Sequence, residues 1–292
     1  MSATFPQPII LIGSDGMLGT AWRAVLDQMQ VPYQCPTLAE FDLTDEESIN
    51  RTITDEVQLV INCAAYTAVD KAEELEELAT TINGEGVGKL AERCHDVEAK
   101  LVHYSTDYVF PGNADSPYLP TAERNPCNAY GRSKAVGEVL IEQSGCSYLT
   151  LRTSWLYAPW ASNFVITIAK LAAERDELQV VNDQFGRPTS AQHLAQTSAD
   201  MIYAGASGTY HVTDGGQCSW FDFATEIARL TDAKCTIKPC DSSQFPRPAV
   251  RPAYSVLDLT STEKLVGQMT HWKENLSAVI AQLRKKETLP HE

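Results

Sequence analysis

The chain has 292 residues, 43% of them hydrophobic, with 38 acidic against 23 basic side chains and a net charge of −15. That length buries a full core and suffices for a nucleotide-sized α/β domain with a smaller lobe. The acidity, with a pI near 4.8, argues against nucleic acid or an anionic membrane as partner, since both require a basic footprint.

Residues 8–12 are an apolar run that predicts a buried parallel strand, and residues 17–29 a helix with Leu18, Trp22, Val25 and Leu26 on one face. Between them stands Gly13-x-x-Gly16-x-x-Gly19, a strand–turn–helix setting in which glycines let the backbone turn tightly and let a pyrophosphate approach the helix N-terminus. Residues 58–65 predict a second buried strand ending in small residues, and 101–106 a third ending in the hydroxyl pair Ser105-Thr106. Ligands of an open parallel sheet bind outside the carboxyl ends of its strands, so these three ends mark one site. Residues 73–94 predict a long helical stretch with a break near Asn83-Gly84 and Gly86, and 148–152 a further strand.

Beyond about residue 155 the pattern is less regular. Residues 162–175 and 191–203 predict helices separated by a loop at 180–188, which has turn chemistry and few apolar anchors. Residues 208–212 predict a short strand and 220–230 a helix. The proline-rich stretch 244–252 is either a linker or a binding loop that brings Arg247 and Arg251 toward an anion. Residues 271–285 predict a terminal helix whose Trp272, Leu276, Val279 and Leu283 stripe is core. The expected fold is α/β, a doubly wound, Rossmann-like parallel sheet. Residues 1–155 form its dinucleotide-binding domain and 156–292 a smaller C-terminal substrate-binding lobe that returns some elements to the sheet. The longest uncharged run, residues 153–169, contains Pro159 and Asn163 and is not a membrane span. Too few residues precede the first strand for a signal peptide. Eight cysteines with no C-x-x-C and no Cys/His clustering are expected to be free thiols in a reducing cytosol.

The chemistry centres on Tyr130-Gly131-Arg132-Ser133-Lys134. Side chains four apart share a helix face, and an ammonium one turn from a phenol favours the phenolate, drawing its pKa below the usual ~10. Thr106 supplies a second hydrogen bond to the same substrate oxygen, so a carbonyl would sit between two donors while a dinucleotide delivers hydride. His103, in the strand ahead, is expected to be a satisfied sheet residue, and the Glu73-Glu74 and Glu76-Glu77 run to face solvent.

Together these motifs resemble the dTDP-4-dehydrorhamnose reductases of the extended short-chain dehydrogenase/reductase superfamily, which use the Gly-x-x-Gly-x-x-Gly spacing. The likeness runs through residues 13–19, 62–73, 103–110, 130–134, 152–155, 182–186 and Arg251-Pro252, nearly the whole chain. It implies a cytoplasmic enzyme that reduces the C4 ketone of a nucleotide sugar, dTDP-4-dehydro-L-rhamnose. In that reading Tyr130 protonates the nascent alkoxide, Lys134 lowers its pKa and holds the nicotinamide ribose, Thr106 orients the ketone, and Asp107 and Trp155 contact the sugar. The dinucleotide would lie on Gly13, Asp15, Gly16, Met17 and Leu18, with its adenine at Asp42 and Leu43 and its remainder along Ala64, Ala65, Tyr66 and Thr67.

The resemblance leaves neighbouring functions open. Related 4,6-dehydratases carry a glutamate where this chain has Tyr108, which cannot remove a C5 proton at neutral pH. A 4-epimerase remains open on the Tyr/Lys pair, although Thr153-Ser154-Trp155 fits a reductase better. A non-catalytic regulatory subunit, like the β subunit of methionine adenosyltransferase, is the alternative from another class; Thr106 with Trp155 tells against it. Some members bridge subunits with magnesium on acidic side chains, but the corresponding positions here are Ala21 and Gln192, so no metal is expected and the oligomeric state stays open. Residues 24–50 contain no basic residue. The family's arginine ahead of Asp42 is replaced by Leu38, and Glu40 adds repulsion to a 2′-phosphate. NADH is therefore the expected donor, with NADPH in reserve should Arg23 or Arg51 fold back.

Overall fold

The computed structural model describes residues 5–288, with side chains as far as residue 285. All four residues of the first strand, Ile9–Ile12, are buried, as in a strand covered on both faces. It pairs in parallel with Leu59–Asn62, which pairs with Lys100–Thr106. Ser147–Thr153 and Gly208–His211 complete a five-stranded parallel sheet. On the opposite side of the first strand, Ile10 bridges to Gln34. The chain thus leaves Ile9–Ile12 toward one side and returns on the other, which puts a topological switch point at the glycine turn.

Side-chain alternation decides which helices cover which face. Ile9 and Leu11 join Leu59 and Ile61 under helices Met17–Gln28 and Ala191–Tyr203, through Trp22, Leu26, Leu194 and Met201. Ile10 and Ile12 join Val60 and Leu101 under Glu46–Thr52 and Gly86–Asp96, through Ile49, Val87 and Leu90. Helices on both faces make the sheet doubly wound, and the C-terminal half returns both a strand and a helix to it. A separate cluster around Phe223 gathers helices Phe164–Glu174, Trp220–Leu230 and Trp272–Thr288.

Three expectations change. The stretch 73–94 is not broken at Asn83: Glu76–Thr80 runs into a π-turn, Thr81–Glu85, and on into Gly86–Asp96, because one extra residue per turn is absorbed by widening the helix. The loop expected at 180–188 begins inside a strand, Glu177–Val181, paired in parallel with Thr236–Cys240. Residues 244–252 are no free linker: Asn128 Nδ2 donates to Val250 O at 2.9 Å, and Tyr254 just beyond bridges to both Asn113 and Phe185. No helix among the described residues is long and apolar enough to cross a membrane.

Candidate active site

Gly13 takes φ +74°, open to glycine without strain, and a Cβ on Gly19 would overlap the Gly13 carbonyl oxygen. The two glycines therefore let the first helix start directly beneath the turn. That helix, Met17–Gln28, is preceded by an extended Gly16 with no side-chain cap and no acidic residue in its first turn. Its first N–H groups and its positive dipole end are therefore left to an anion. Asp15 turns outward to Arg23 at 3.6 Å; Met17 O accepts from Trp160 Nε1 at 3.1 Å, and Leu18 is buried. Across the switch point, Asn62 Oδ1 accepts the Ala64 N–H at 3.0 Å. Asn83 Oδ1 accepts the Tyr66 N–H at 2.8 Å, and its Nδ2 donates to Tyr66 O at 2.9 Å and Ser133 Oγ at 3.0 Å. The backbone running from Ala64 to Tyr66, with Ala65 between and Thr67 following, is thus pinned at both ends. Asn83, read from the sequence only as a helix interruption, is the π-turn residue that does it. Asp42 Oδ1 takes the N–H and O–H of Thr44 at 2.8 and 2.7 Å, which holds its carboxyl below the usual range, and Leu43 is buried behind it.

Helix Ala129–Ser144 starts at Asn128, whose Oδ1 accepts the Gly131 N–H at 2.8 Å. This brings Tyr130 against the end of strand Lys100–Thr106. Thr106 Oγ1 donates to Asp107 Oδ1 at 3.0 Å and accepts the Tyr108 N–H at 3.1 Å. The Tyr108 ring meets Tyr130 edge-on, centroids 6.1 Å apart. Burial pushes the Asp107 carboxyl up to about 7, against the hydroxyls of Ser255 and Thr106.

The expected lowering of the Tyr130 pKa is not what this arrangement gives. Burial first, and the Asp107 charge second, push the phenol up to about 12, with Thr106 pulling back. Lys134 is turned elsewhere: its Nζ lies 2.9 Å from His103 Nε2, and burial lowers its own pKa to about 8 despite Glu138. His103, buried and satisfied as expected, is held neutral by burial; its other nitrogen faces Asn62 Nδ2 at 3.2 Å.

Trp155 belongs to the aromatic cluster of the C-terminal lobe. Its backbone is left-handed, φ +47°, and its ring stacks on Trp220 with centroids 3.5 Å apart. Arg251, a candidate anion ligand, donates to Asp70 Oδ1 at 2.8 Å and straps its segment to the helix Val69–Ala72; Arg247 is exposed. Behind the site, Glu138 accepts two bonds from Arg152, 2.9 and 2.7 Å, and one from Arg124 at 3.0 Å. Among the described residues, no group of three or more His, Cys, Asp or Glu is placed to hold a metal ion.

A family model described as the RmlD substrate binding domain matches residues 7–285. A dTDP-4-dehydrorhamnose reductase of Burkholderia thailandensis is 40% identical over 286 residues, covering 91% of this chain and 95% of the relative. The Escherichia coli protein of the same name is 39% identical over 235 residues, 76% of this chain and 78% of the relative. The crystal structure of a dTDP-4-dehydrorhamnose reductase from Clostridium acetobutylicum superposes with a TM-score of 0.91 at 40% identity, covering 94% of this chain and 99% of that one. One from Bacillus anthracis, in complex with NADP, superposes with a TM-score of 0.90 at 35% identity, covering 94% and 98%.

Proposed function

The chain belongs to the RmlD family of dTDP-4-dehydrorhamnose reductases, and from that premise we propose how its residues reduce the C4 ketone of dTDP-4-dehydro-L-rhamnose to dTDP-L-rhamnose. The observation that carries the reading is the start of the Tyr130 helix at the carboxyl end of the Thr106 strand, where the Tyr108 ring meets Tyr130 edge-on, with Lys134 buried one helical turn further on. The glycine turn and the uncapped helix behind it fit a dinucleotide pyrophosphate. The bound nicotinamide supplies the hydride.

Everything else falls to the chain's own residues. Tyr130, with its pKa at about 12, is fully protonated at neutral pH and so is a loaded acid. An alkoxide is more basic than a phenolate, so the phenol proton moves to the sugar O4 as charge develops there. The Thr106 hydroxyl, whose one proton rests on Asp107 Oδ1 in the free site, turns to donate a second hydrogen bond to that oxygen. Asp107 and Trp155 contact the sugar, and Lys134 holds the nicotinamide ribose. Tyr108, whose phenol burial pushes up, offers no base for the C5 proton, which disfavours dehydration. Residues 1–155 serve the dinucleotide, and the Phe223-centred cluster within 156–292 supplies the substrate lobe. NADH is the favoured donor. NADPH is the reserve, since the Bacillus anthracis relative was solved with NADP.

The test follows reduced-nicotinamide absorbance while dTDP-glucose is supplied through the upstream dehydratase and epimerase. Tyr130→Phe is expected to lower turnover by about 10²–10⁴-fold with dinucleotide affinity nearly unchanged. Retention of more than about a third of wild-type turnover would sink the assignment of the phenol as acid.

A further inference from the structure

Asn62 and His103 are register partners on neighbouring strands, and the hydrogen bonds around them permit one proton arrangement. Because Asn62 Oδ1 accepts the Ala64 N–H at 3.0 Å, the amide nitrogen is the end that faces His103 Nδ1, at 3.2 Å. An amide nitrogen only donates, so Nδ1 must accept. A neutral imidazole then carries its single proton on Nε2. That nitrogen lies 2.9 Å from Lys134 Nζ. An ammonium has three donors and no acceptor, so Nε2–H against –NH₃⁺ would set donor against donor. A neutral amine offers its lone pair to Nε2–H, and every group in the chain is satisfied. An imidazolium fails as well, because its Nδ1–H would oppose the Asn62 amide.

We propose that His103 is a positioning residue that acts through Lys134: its Nε2–H donates to Nζ and holds the lysine as a neutral amine until the dinucleotide binds. The charges nearby do not reverse this. Glu138, on the same helix, favours the ammonium, but its carboxylate is taken up by Arg152 from the next strand and by Arg124. Asp107, at the end of the His103 strand, has its charged form disfavoured by burial, and Tyr130 stays protonated. From the helices packed on the other side, Glu73 accepts the Ala129 N–H, Glu76 pairs with Arg132 and Asp70 with Arg251. Burial lowers the lysine pKa further. The consequence for function, that Lys134 takes up a proton as it engages ribose hydroxyls, rests on the dinucleotide reading above. The tautomer does not.

The test uses nitrogen-15 NMR of the full chain labelled in histidine, without dinucleotide, with His103→Gln assigning the resonance. The Nε2–H neutral tautomer is expected at about pH 8 to 9, where Lys134 has lost its proton; an Nδ1–H tautomer or an imidazolium in that range overturns the proposal. In lysine-labelled protein, with Lys134→Met for assignment, His103→Gln presents an amide oxygen that accepts from an ammonium. It is expected to raise the Lys134 titration midpoint by about one unit or more. An unchanged midpoint overturns the proposal. Should the glutamine variant fail to fold, the wild-type tautomer decides alone, its resonance being the one that responds to titration of Lys134. Failure of NADH to bind would sink the dinucleotide reading while leaving this result standing.

Discussion

Leu38, where the resemblance puts a cation for a 2′-phosphate, is 92% exposed, and Glu40 nearby is fixed as a carboxylate by the N–H and O–H of Thr37 at 2.8 and 2.9 Å. The flanking cations are engaged as well, Arg23 with Asp15 and Arg51 with Ser48 Oγ at 3.4 Å. A phosphate there loses its charge-assisted hydrogen bonds, so NADH is expected to exceed NADPH in kcat/KM by about 10- to 150-fold. Leu38→Arg should narrow or reverse that preference; a wild type that already prefers NADPH more than about tenfold overturns the argument. Asp107 yields a prediction about stability. Its folded pKa of about 7 lies above the ordinary aspartate value of 3.8, so the folded state binds the extra proton between those values. The favourable contribution is complete below the unfolded pKa and is lost as pH rises through the folded one. Asp107→Asn, which cannot charge, should therefore match wild type in urea unfolding near pH 4 and exceed it at pH 8 by on the order of a few kcal/mol. Equal gains at both pH values would show that the carboxyl titrates normally.

The helix that carries Tyr130 and Lys134 is tied to the sheet by a buried ion pair, Glu138 to Arg152 on the adjoining strand, with side chains 1% and 3% exposed. A buried pair is worth little against an apolar replacement, but breaking it strands a charge. Glu138→Gln leaves an amide N–H facing guanidinium N–H and should cost about 3–5 kcal/mol in denaturant unfolding at pH 7. The Glu138 carboxyl is held below its usual range, so its contribution is present above the unfolded pKa and is lost on acidification through the folded one. The deficit of the variant should shrink accordingly. At this scale the sequence was legible where the signal was local. Helices Ala191–Tyr203 and Trp220–Leu230 follow from apolar periodicity, and the meeting of Thr106, Asp107 and Tyr130 from motifs at strand ends and a helix start. It was illegible where the partner lay far along the chain. Glu177–Val181 becomes a strand by pairing with Thr236–Cys240, whose Lys238 and Pro239 give no strand signal. Asn83, Asn62 and His103 acquire their roles from a π-turn and from register across the sheet, which no spacing in the sequence displays.

The whole molecule carries a charge of −15, and both ligands it is proposed to bind are anions. The cations on elements that line the site do not offset this at long range, because Arg23, Arg132 and Arg251 each face a carboxylate, Asp15, Glu76 and Asp70 respectively, and Lys134 is buried. Attraction must therefore come from short-range contacts made after arrival, on backbone N–H groups at the first helix and on hydroxyls at the sheet edge. The approach itself is opposed by the net field. At about 0.01 M salt that field extends some ~30 Å and at 0.1 M about 10 Å, so salt should strip away repulsion on the way in and leave the bound contacts largely intact. The association rate of NADH, followed by stopped-flow nicotinamide fluorescence, is expected to rise several-fold over that range while the dissociation rate changes little. A rate that instead falls with salt would mean that a local cationic funnel outweighs the global charge, and Arg247, exposed at the proline-rich strap, would be the first residue to remove.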